Sequence, residues 1–253
     1  MIEIKNLHKA FGDNKVLQGV NLDIDTGETL VIIGRSGCGK SVLIKHIVGL
    51  LYPDDGYVKV EGRKVDEMSM KELYELRTKF GFLFQGSALF DSMTVEENIS
   101  LPLVESRIKI SISEIDKKVA EKLEMVGMSG VQKLKPAELS GGMKKRVGLA
   151  RALITDPDYI FYDEPTTGLD PITTKVIHTL MADMQRQLNI TSIVISHDID
   201  IFTVADYVAL LHNGKIEYFG DAKTIWETTN PYIYQFIRGL PDGPIQTELA
   251  IED

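Results

Sequence analysis

Thr29-Leu-Val-Ile-Ile-Gly34-Arg-Ser-Gly-Cys-Gly-Lys-Ser41-Val-Leu-Ile-Lys-His-Ile-Val48 decides the fold. A continuous apolar run stops at Gly34, a glycine-rich stretch follows, and apolar residues resume at Val42 with helical spacing. Apolar runs of this length without alternation read as strands covered on both faces. The loop fits G-x-x-x-x-G-K-[ST] at every defining position, in the strand, loop and helix setting that gives the pattern its meaning. Gly34, Gly37 and Gly39 let the backbone curl so that successive N–H groups turn inward, and the helix N-terminus adds a partial positive charge. A polyphosphate suits such a cradle. Lys40 then reaches β- and γ-phosphates and the Ser41 hydroxyl is a ligand for Mg²⁺. Arg35, Ser36, Cys38 and Val42 complete the candidate binding set. A glycine-rich turn with an exposed lysine is the plainer alternative, and it leaves the flanking strand and helix unexplained.

Two further apolar runs end as abruptly, Tyr159-Ile-Phe-Tyr-Asp163 and Thr191-Ser-Ile-Val-Ile-Ser-His197, with helical patterns between the three. Together they predict a parallel α/β sheet, in which ligands bind beyond the carboxyl ends of the strands. Gly34, Asp163, Glu164 and His197 are therefore expected on one sheet edge. Over the first 65 residues the pattern differs: Ile2-Glu-Ile-Lys5, Val20-Asn-Leu-Asp-Ile24 and Tyr57-Val-Lys-Val-Glu61 alternate, punctuated by Gly12-Asp13, Thr26-Gly27 and Asp54-Asp55-Gly56. This predicts an antiparallel β layer beside the parallel core. From Ser92 to about Glu138 the reading turns helical, with an N-cap expected at Ser113 paired with Asp116 and an apolar stripe at Ile115, Val119, Leu123 and Val126. An inserted helical arm is expected over about 92–150. Gly239-Leu-Pro-Asp-Gly-Pro244 predicts an irregular tail, so that residues 1–236 form the main domain and 237–253 an extension.

A chain of 253 residues buries a sizeable core without staples, and 43% hydrophobic with 26% charged residues excludes a disordered or fibrous chain. Lys and Arg number 28 against 37 Asp and Glu, and the charge of −9 argues against gripping nucleic acid. MIEIKNLHKAF lacks the apolar region of a signal peptide, and no stretch approaches the roughly 20 apolar residues of a membrane span. A cytosolic chain is expected, joined to a membrane only through a partner. Cys38, the one cysteine, cannot form an internal disulfide. Within the loop it reads either as a thiol activated by the helix N-terminus or as a small residue whose N–H matters; the absence of a resolving cysteine favours the second.

Asp163 and Glu164 end a buried strand. Neighbouring strand residues point to opposite faces, so the two carboxylates cannot make the same contact. Asp163 suits Mg²⁺, held through water because the ion keeps much of its hydration. Glu164 suits the general base that polarises an attacking water. Alone, the pair would read as an exposed acidic turn; a phosphate cradle in the same chain reverses that choice. A lone His is most often structural, but His197 at this edge is placed to donate to a γ-phosphate or to orient the water.

Leu139-Ser-Gly-Gly-Met143 resembles the LSGGQ signature of ATP-binding cassette (ABC) ATPases. The other parts of that family follow in order: Phe11 resembles the aromatic that stacks on adenine, Gln85 in Phe84-Gln-Gly86 the Q-loop glutamine, Asp170 in Gly168-Leu-Asp170 the D-loop, and His197 the switch histidine. The resemblance covers about residues 1–220, and the joint occurrence of the motifs is far more specific than any one of them. It implies a P-loop, RecA-like α/β core with an antiparallel β subdomain and an inserted α-helical signature subdomain. It implies ATP and Mg²⁺ as cofactors, with Gln85 joining Ser41 and Asp163 at the metal, and Lys40, Glu164 and His197 as the catalytic set. Read from the residues, Ser140 followed by Gly141 and Gly142 opens a second helix N-terminus able to face phosphate, where an ordinary cap is the alternative. The resemblance adds that this surface completes the ATP site of a second copy, so that two chains sandwich two nucleotides head to tail. Met143 replaces the usual glutamine and removes one amide contact across that interface.

Leu83-Phe-Gln-Gly-Ser-Ala-Leu-Phe90, Met93-Thr-Val-Glu-Glu-Asn-Ile99, Leu101-Pro-Leu103, the Met143 departure, Asp163-Glu-Pro-Thr-Thr-Gly-Leu-Asp-Pro171 and the Gly239-Leu-Pro-Asp-Gly-Pro244 tail are similar to the ATPases of lipid transporters coupled to MCE proteins. That likeness implies membrane permease partners, MCE-domain and small STAS-like accessory proteins, and a place on the cytoplasmic face of the inner membrane. It also implies phospholipid transport for outer-membrane lipid asymmetry and a tail that embraces the neighbouring ATPase. ATPases of importers for polar amino acids share much of the same stretch and are the alternative. A soluble ABC ATPase acting on DNA or ribosomes fits less well. Chromosome-maintenance members carry a long coiled coil between loop and signature, which the segment from Lys40 to Ser140 is too short to hold, and translation-factor members carry two cassettes. A P-loop kinase has no use for the signature.

Overall fold

Alternation in the first residues becomes a long antiparallel pair, β1 (Ile2–Phe11) with β2 (Asn14–Ile24). Ile2 and Ile4 of β1 and Val20, Leu22 and Ile24 of β2 alternate onto one apolar face, and register shifts in the pair on either side of Leu7 accompany the odd-numbered Leu7 and Leu17, which are buried as well. β3 (Thr29–Ile33) is buried at every position, as its unbroken apolar run requires. α1 (Lys40–Ile47) follows the glycine-rich loop. β4 (Asp55–Val60) adds to the free edge of β1 and β5 (Arg63–Lys64) to β4, giving an antiparallel sheet of order β2-β1-β4-β5. The antiparallel layer expected from the N-terminal pattern is thus present. The structure is a computed structural model and describes residues 1–106 and 110–246.

A second unit, Met70–Ile195, is inserted into the first, which comprises Met1–Ser69 and Ser196–Asp253. The insert opens with α2 (Met70–Thr78) and β6 (Phe80–Leu83), continues through α3 (Val95–Glu105), α4 (Ile112–Met125) and α5 (Gly141–Leu153), and closes with β7 (Tyr159–Asp163), α6 (Pro171–Leu188) and β8 (Thr191–Ile195). β6, β7 and β8 run parallel in that order. Phe161 stacks on Phe80 and Phe82 at ring distances of 5.4 and 5.2 Å, which locks β6 to β7. The N-cap of α4 lies two residues earlier than the sequence suggested. Ser111 Oγ accepts from Glu114 N–H at 3.3 Å, and Glu114 Oε2 accepts from Ser111 N–H at 3.0 Å. A reciprocal box needs the longer Glu side chain at the third position, which Asp116 could not supply to Ser113. Of the expected apolar stripe, Val119, Leu123 and Val126 are buried and Ile115, at its start, is half-buried.

The chain then returns to the first unit with β9 (Tyr207–His212), β10 (Lys215–Asp221) and α7 (Pro231–Arg238). β9 lies parallel to β3, and β10 antiparallel to β9. Of the expected extension 237–253, Ile237 and Arg238 still belong to α7, residues 239–246 form no helix or strand, and 247–253 lie outside the described residues. Gln235, 5% exposed, clamps this segment: its Oε1 accepts from Ile245 N–H at 2.7 Å and its Nε2 donates to Ile245 O at 3.0 Å.

Candidate functional site

In the first unit β3 delivers the chain into the loop. A Cβ on Gly34 would lie 2.3 Å from Leu211 O, and its φ of 152° is open to glycine alone. At Gly39, φ 108°, a Cβ would lie 3.0 Å from Leu17 Cδ2 and 3.1 Å from Val16 O. The first N–H groups of α1 have no carbonyl of their own helix to pair with; the ladder begins where Leu43 N–H donates to Gly39 O at 2.9 Å. Lys40 Nζ donates to Gly34 O at 2.6 Å and to Arg35 O at 2.9 Å, so its charge is lodged at the centre of the loop. Its third hydrogen reaches only Cys38 Sγ at 3.9 Å, a weak acceptor that a phosphate oxygen would displace. Ser36, Gly37 and Ser41 are exposed, and Val42 stands half-buried beside them. This loop therefore fits a polyphosphate group by its donors and by the room its three glycines leave.

Cys38 is half-buried, and burial pushes its thiol up against the opposing pull of Lys40. A raised thiol is a poor nucleophile, which agrees with the small-residue reading. Arg35 reaches the other way, its Nη1 donating to Gln246 O at 2.7 Å. Phe11 is 48% exposed at the end of β1, with Lys9 Nζ 5.8 Å from its ring centre. An exposed aromatic of this kind offers a face to a base. His197 is exposed just past β8, after Ser196, whose N–H donates to Ile32 O at 3.3 Å. Gly34, Asp163 and His197 each occupy the carboxyl end of a parallel strand.

The second unit brings together another group. Asp163 ends β7, half-buried, and Glu164 follows with a φ of 50°, a left-handed conformation costly for a side chain of this size. Glu164 N–H donates to Ile195 O at 2.9 Å, and Glu164 Oε2 accepts from Thr167 Oγ1 at 3.1 Å. Gln85 is exposed two residues past β6. Lys145 Nζ donates to the carbonyl of Gln85 and, at 3.2 Å, to that of Glu164. Sequence reasoning passed over Lys145 and also Arg151, which donates to Ala88 O at 2.7 Å and Ser87 O at 2.6 Å. Their spacing on α5 was the available signal, with Gly148 midway between them.

Ser140 caps α5, its Oγ accepting from Met143 N–H at 3.3 Å, and no acidic residue occupies the first turn. That N-terminus is electrostatically open to an anion. Gly142 has a local reason as well: a Cβ there would come within 2.6 Å of Thr173 Cγ2. Asp170 caps α6, accepting from Ile172 and Thr173 N–H groups at 3.0 Å each, and the Thr173 hydroxyl holds its carboxyl below the usual range. Among the described residues no cluster of three or more His, Cys, Asp or Glu side chains can hold a metal. Ser41 at the start of α1 and, in the other unit, Asp163 at the end of β7 each offer an oxygen of the kind Mg²⁺ takes.

A family model described as "ABC transporter" matches residues 17–167. A protein of Mycobacterium leprae described as "Probable ribonucleotide transport ATP-binding protein mkl" is 44% identical over 245 residues, covering 96% of this chain and 70% of that one. The "Intermembrane phospholipid transport system ATP-binding protein MlaF" of Haemophilus influenzae is 38% identical over 254 residues, 100% of this chain and 96% of that one. A solved ATP-binding cassette, described as a dimeric post-hydrolysis state bound to ADP and Pi, superposes with a TM-score of 0.79 at 34% identity, over 88% of this chain and 99% of the other.

Proposed function

The chain belongs to the ABC transporter family of ATP-binding proteins and is an ATPase coupled to transport, and from that premise we propose that the transporter it serves moves phospholipid. The observation that carries the cargo is the end-to-end match to a phospholipid-transport ATPase, 96% of whose length this chain spans. The ribonucleotide named for the 44% identical relative is the second reading, favoured by the higher identity. That relative extends well beyond this chain, which covers 70% of it.

Two copies close on two ATP molecules, as the dimeric relative suggests. The phosphates lie in the loop, with the Lys40 ammonium and the N–H groups of Gly34, Arg35, Ser36, Gly37, Cys38, Gly39, Ser41 and Val42 around them, and adenine lies on Phe11. Bound Mg²⁺ supplies counter-charge to the β- and γ-phosphate oxygens; Ser41, Gln85 and Asp163 are the residues that would hold it. Glu164 takes the proton of the attacking water, and His197 donates to the γ-phosphate. Ser140, Gly141 and Gly142 present the N-terminus of α5 to the nucleotide of the second copy, with Asp170 beside that junction. Closure is driven only to the extent that ATP binds the closed pair more tightly than the open one.

No helix among the described residues is long and apolar enough to cross a membrane. We place the chain on the cytoplasmic face of the inner membrane through permease subunits, with MCE-domain and small STAS-like proteins completing the assembly. The reconstituted complex tests the cargo. Fluorescent phospholipid should move between vesicles in an ATP-dependent way, and ribonucleotides offered as cargo should leave ATP turnover unchanged; stimulation by a ribonucleotide with no lipid movement overturns the phospholipid reading.

A further inference from the structure

Lys145 carries a charge that is 4% exposed. Burial of an ammonium is costly unless its hydrogens are used. Burial pulls its pKa down, while the nearby Glu164 and Asp163 carboxylates pull the other way. Its hydrogen bonds go to main-chain carbonyls of two functional loops, Gln85 and Glu164. Both acceptors belong to distant parts of the sequence, 60 and 19 residues away.

The same side of α5 continues the grip. Gly148, three residues on, has no side chain because a Cβ would stand 2.8 Å from Leu83 Cδ1 and 3.3 Å from Ser87 Cβ. Arg151 then takes the carbonyls of Ser87 and Ala88, two residues held at φ 60° and 45°. Positive φ at such residues persists only where the surroundings over-determine it. Glu164 is the third case, at φ 50°, fixed by Ile195 on its N–H and, on its carbonyl, by Lys145 at 3.2 Å together with Thr167 N–H at 3.4 Å. Ser140 caps this same 13-residue helix. One rigid element therefore bears both the group offered to a second copy's nucleotide and the group that holds the base.

We propose that Lys145 is a positioning residue for hydrolysis: its ammonium ties the carbonyl of Gln85 to that of Glu164, sets the left-handed backbone of Glu164, and so aims the carboxylate at the attacking water. The proposal rests on Glu164 being the base.

The experiment compares Lys145→Met, Lys145→Gln and Glu164→Gln in the full chain, reading kcat and KM for ATP, ATP affinity by calorimetry, and thermal unfolding. Lys145→Met should lower kcat on the order of 100-fold, the scale of a misplaced reacting group, with ATP affinity within about threefold of the parent. Lys145→Gln keeps an amide donor and should recover at least about tenfold of that loss. If Glu164→Gln retains turnover, the base assignment falls and this proposal with it. If Glu164→Gln is inactive yet Lys145→Met turns over at the parent rate, Lys145 has no positioning role. Loss of kcat and affinity together, no recovery in Lys145→Gln, or failure of both variants to fold makes Lys145 a structural strut and overturns the proposal.

Discussion

Gly34 and Gly37 share a positive φ for different reasons. At Gly37, φ 79°, a Cβ would meet nothing within 4 Å, so an alanine there meets only the backbone penalty, about 1–2 kcal/mol. At Gly34 the Cβ would also collide with Leu211 O. Gly37→Ala should weaken ATP binding several-fold, whereas Gly34→Ala should abolish it and lower the melting temperature; calorimetry and thermal unfolding check both, and normal binding by Gly34→Ala would refute the loop geometry. The motif was legible because the spacing of glycines, Lys40 and Ser41 is local. Glu164's left-handed backbone was not, since nothing in Tyr-Asp-Glu-Pro demands it. Its conformation depends on the local turn to Thr167 and on distant partners at Ile195 and Lys145.

At the scale of elements, α4 and the end of α5 are joined by charge. Lys118 and Lys122 both donate to Asp156, at 2.5 and 2.6 Å, and Lys122 is 3% exposed. Burial alone would raise the Asp156 carboxyl, but the two ammonium groups outweigh it and hold it below its ordinary value of 3.8. A depressed carboxylate contributes stability that is present above its unfolded pKa and is lost as pH falls through the folded one. Asp156→Asn should therefore destabilise the protein by about 1–2 kcal/mol at neutral pH, a buried-pair loss discounted for the half-exposed carboxylate. In urea titrations the difference from the parent should shrink as pH falls below the ordinary carboxyl value of 3.8 and through the lowered folded one; a pH-independent difference would remove the ion pair as its cause. Element type was legible wherever apolar spacing was long, as in β3, β7, β8 and α4. The start of α4 was missed by two residues because Ser111 and Ser113 both offer a cap, and only the reach of Glu114 back to Ser111 separates them.

On the scale of the whole molecule, the catalytic reading requires a second copy. Glu164→Gln should accumulate as a dimer with ATP and stay monomeric with ADP, measured by light scattering; a monomer at saturating ATP would refute the shared site. The helical insert and the irregular tail were visible as changes of pattern along the chain. Their attachments were not. Gln235, in mid-helix, gave no sign that it would clamp Ile245, nor Arg35 that it would take the carbonyl of Gln246, 211 residues away. Residue order alone determined the glycine-rich loop between β3 and α1, the acidic pair at the end of β7, the serine and glycines that open α5 and the contrast between fully buried and alternating strands, because each depends on neighbours within a turn or a strand. Only the packed structure decided which carbonyls Lys145 and Arg151 would hold and which backbone would be forced left-handed, because a buried cation takes its partners from whatever distant segments the core brings within reach.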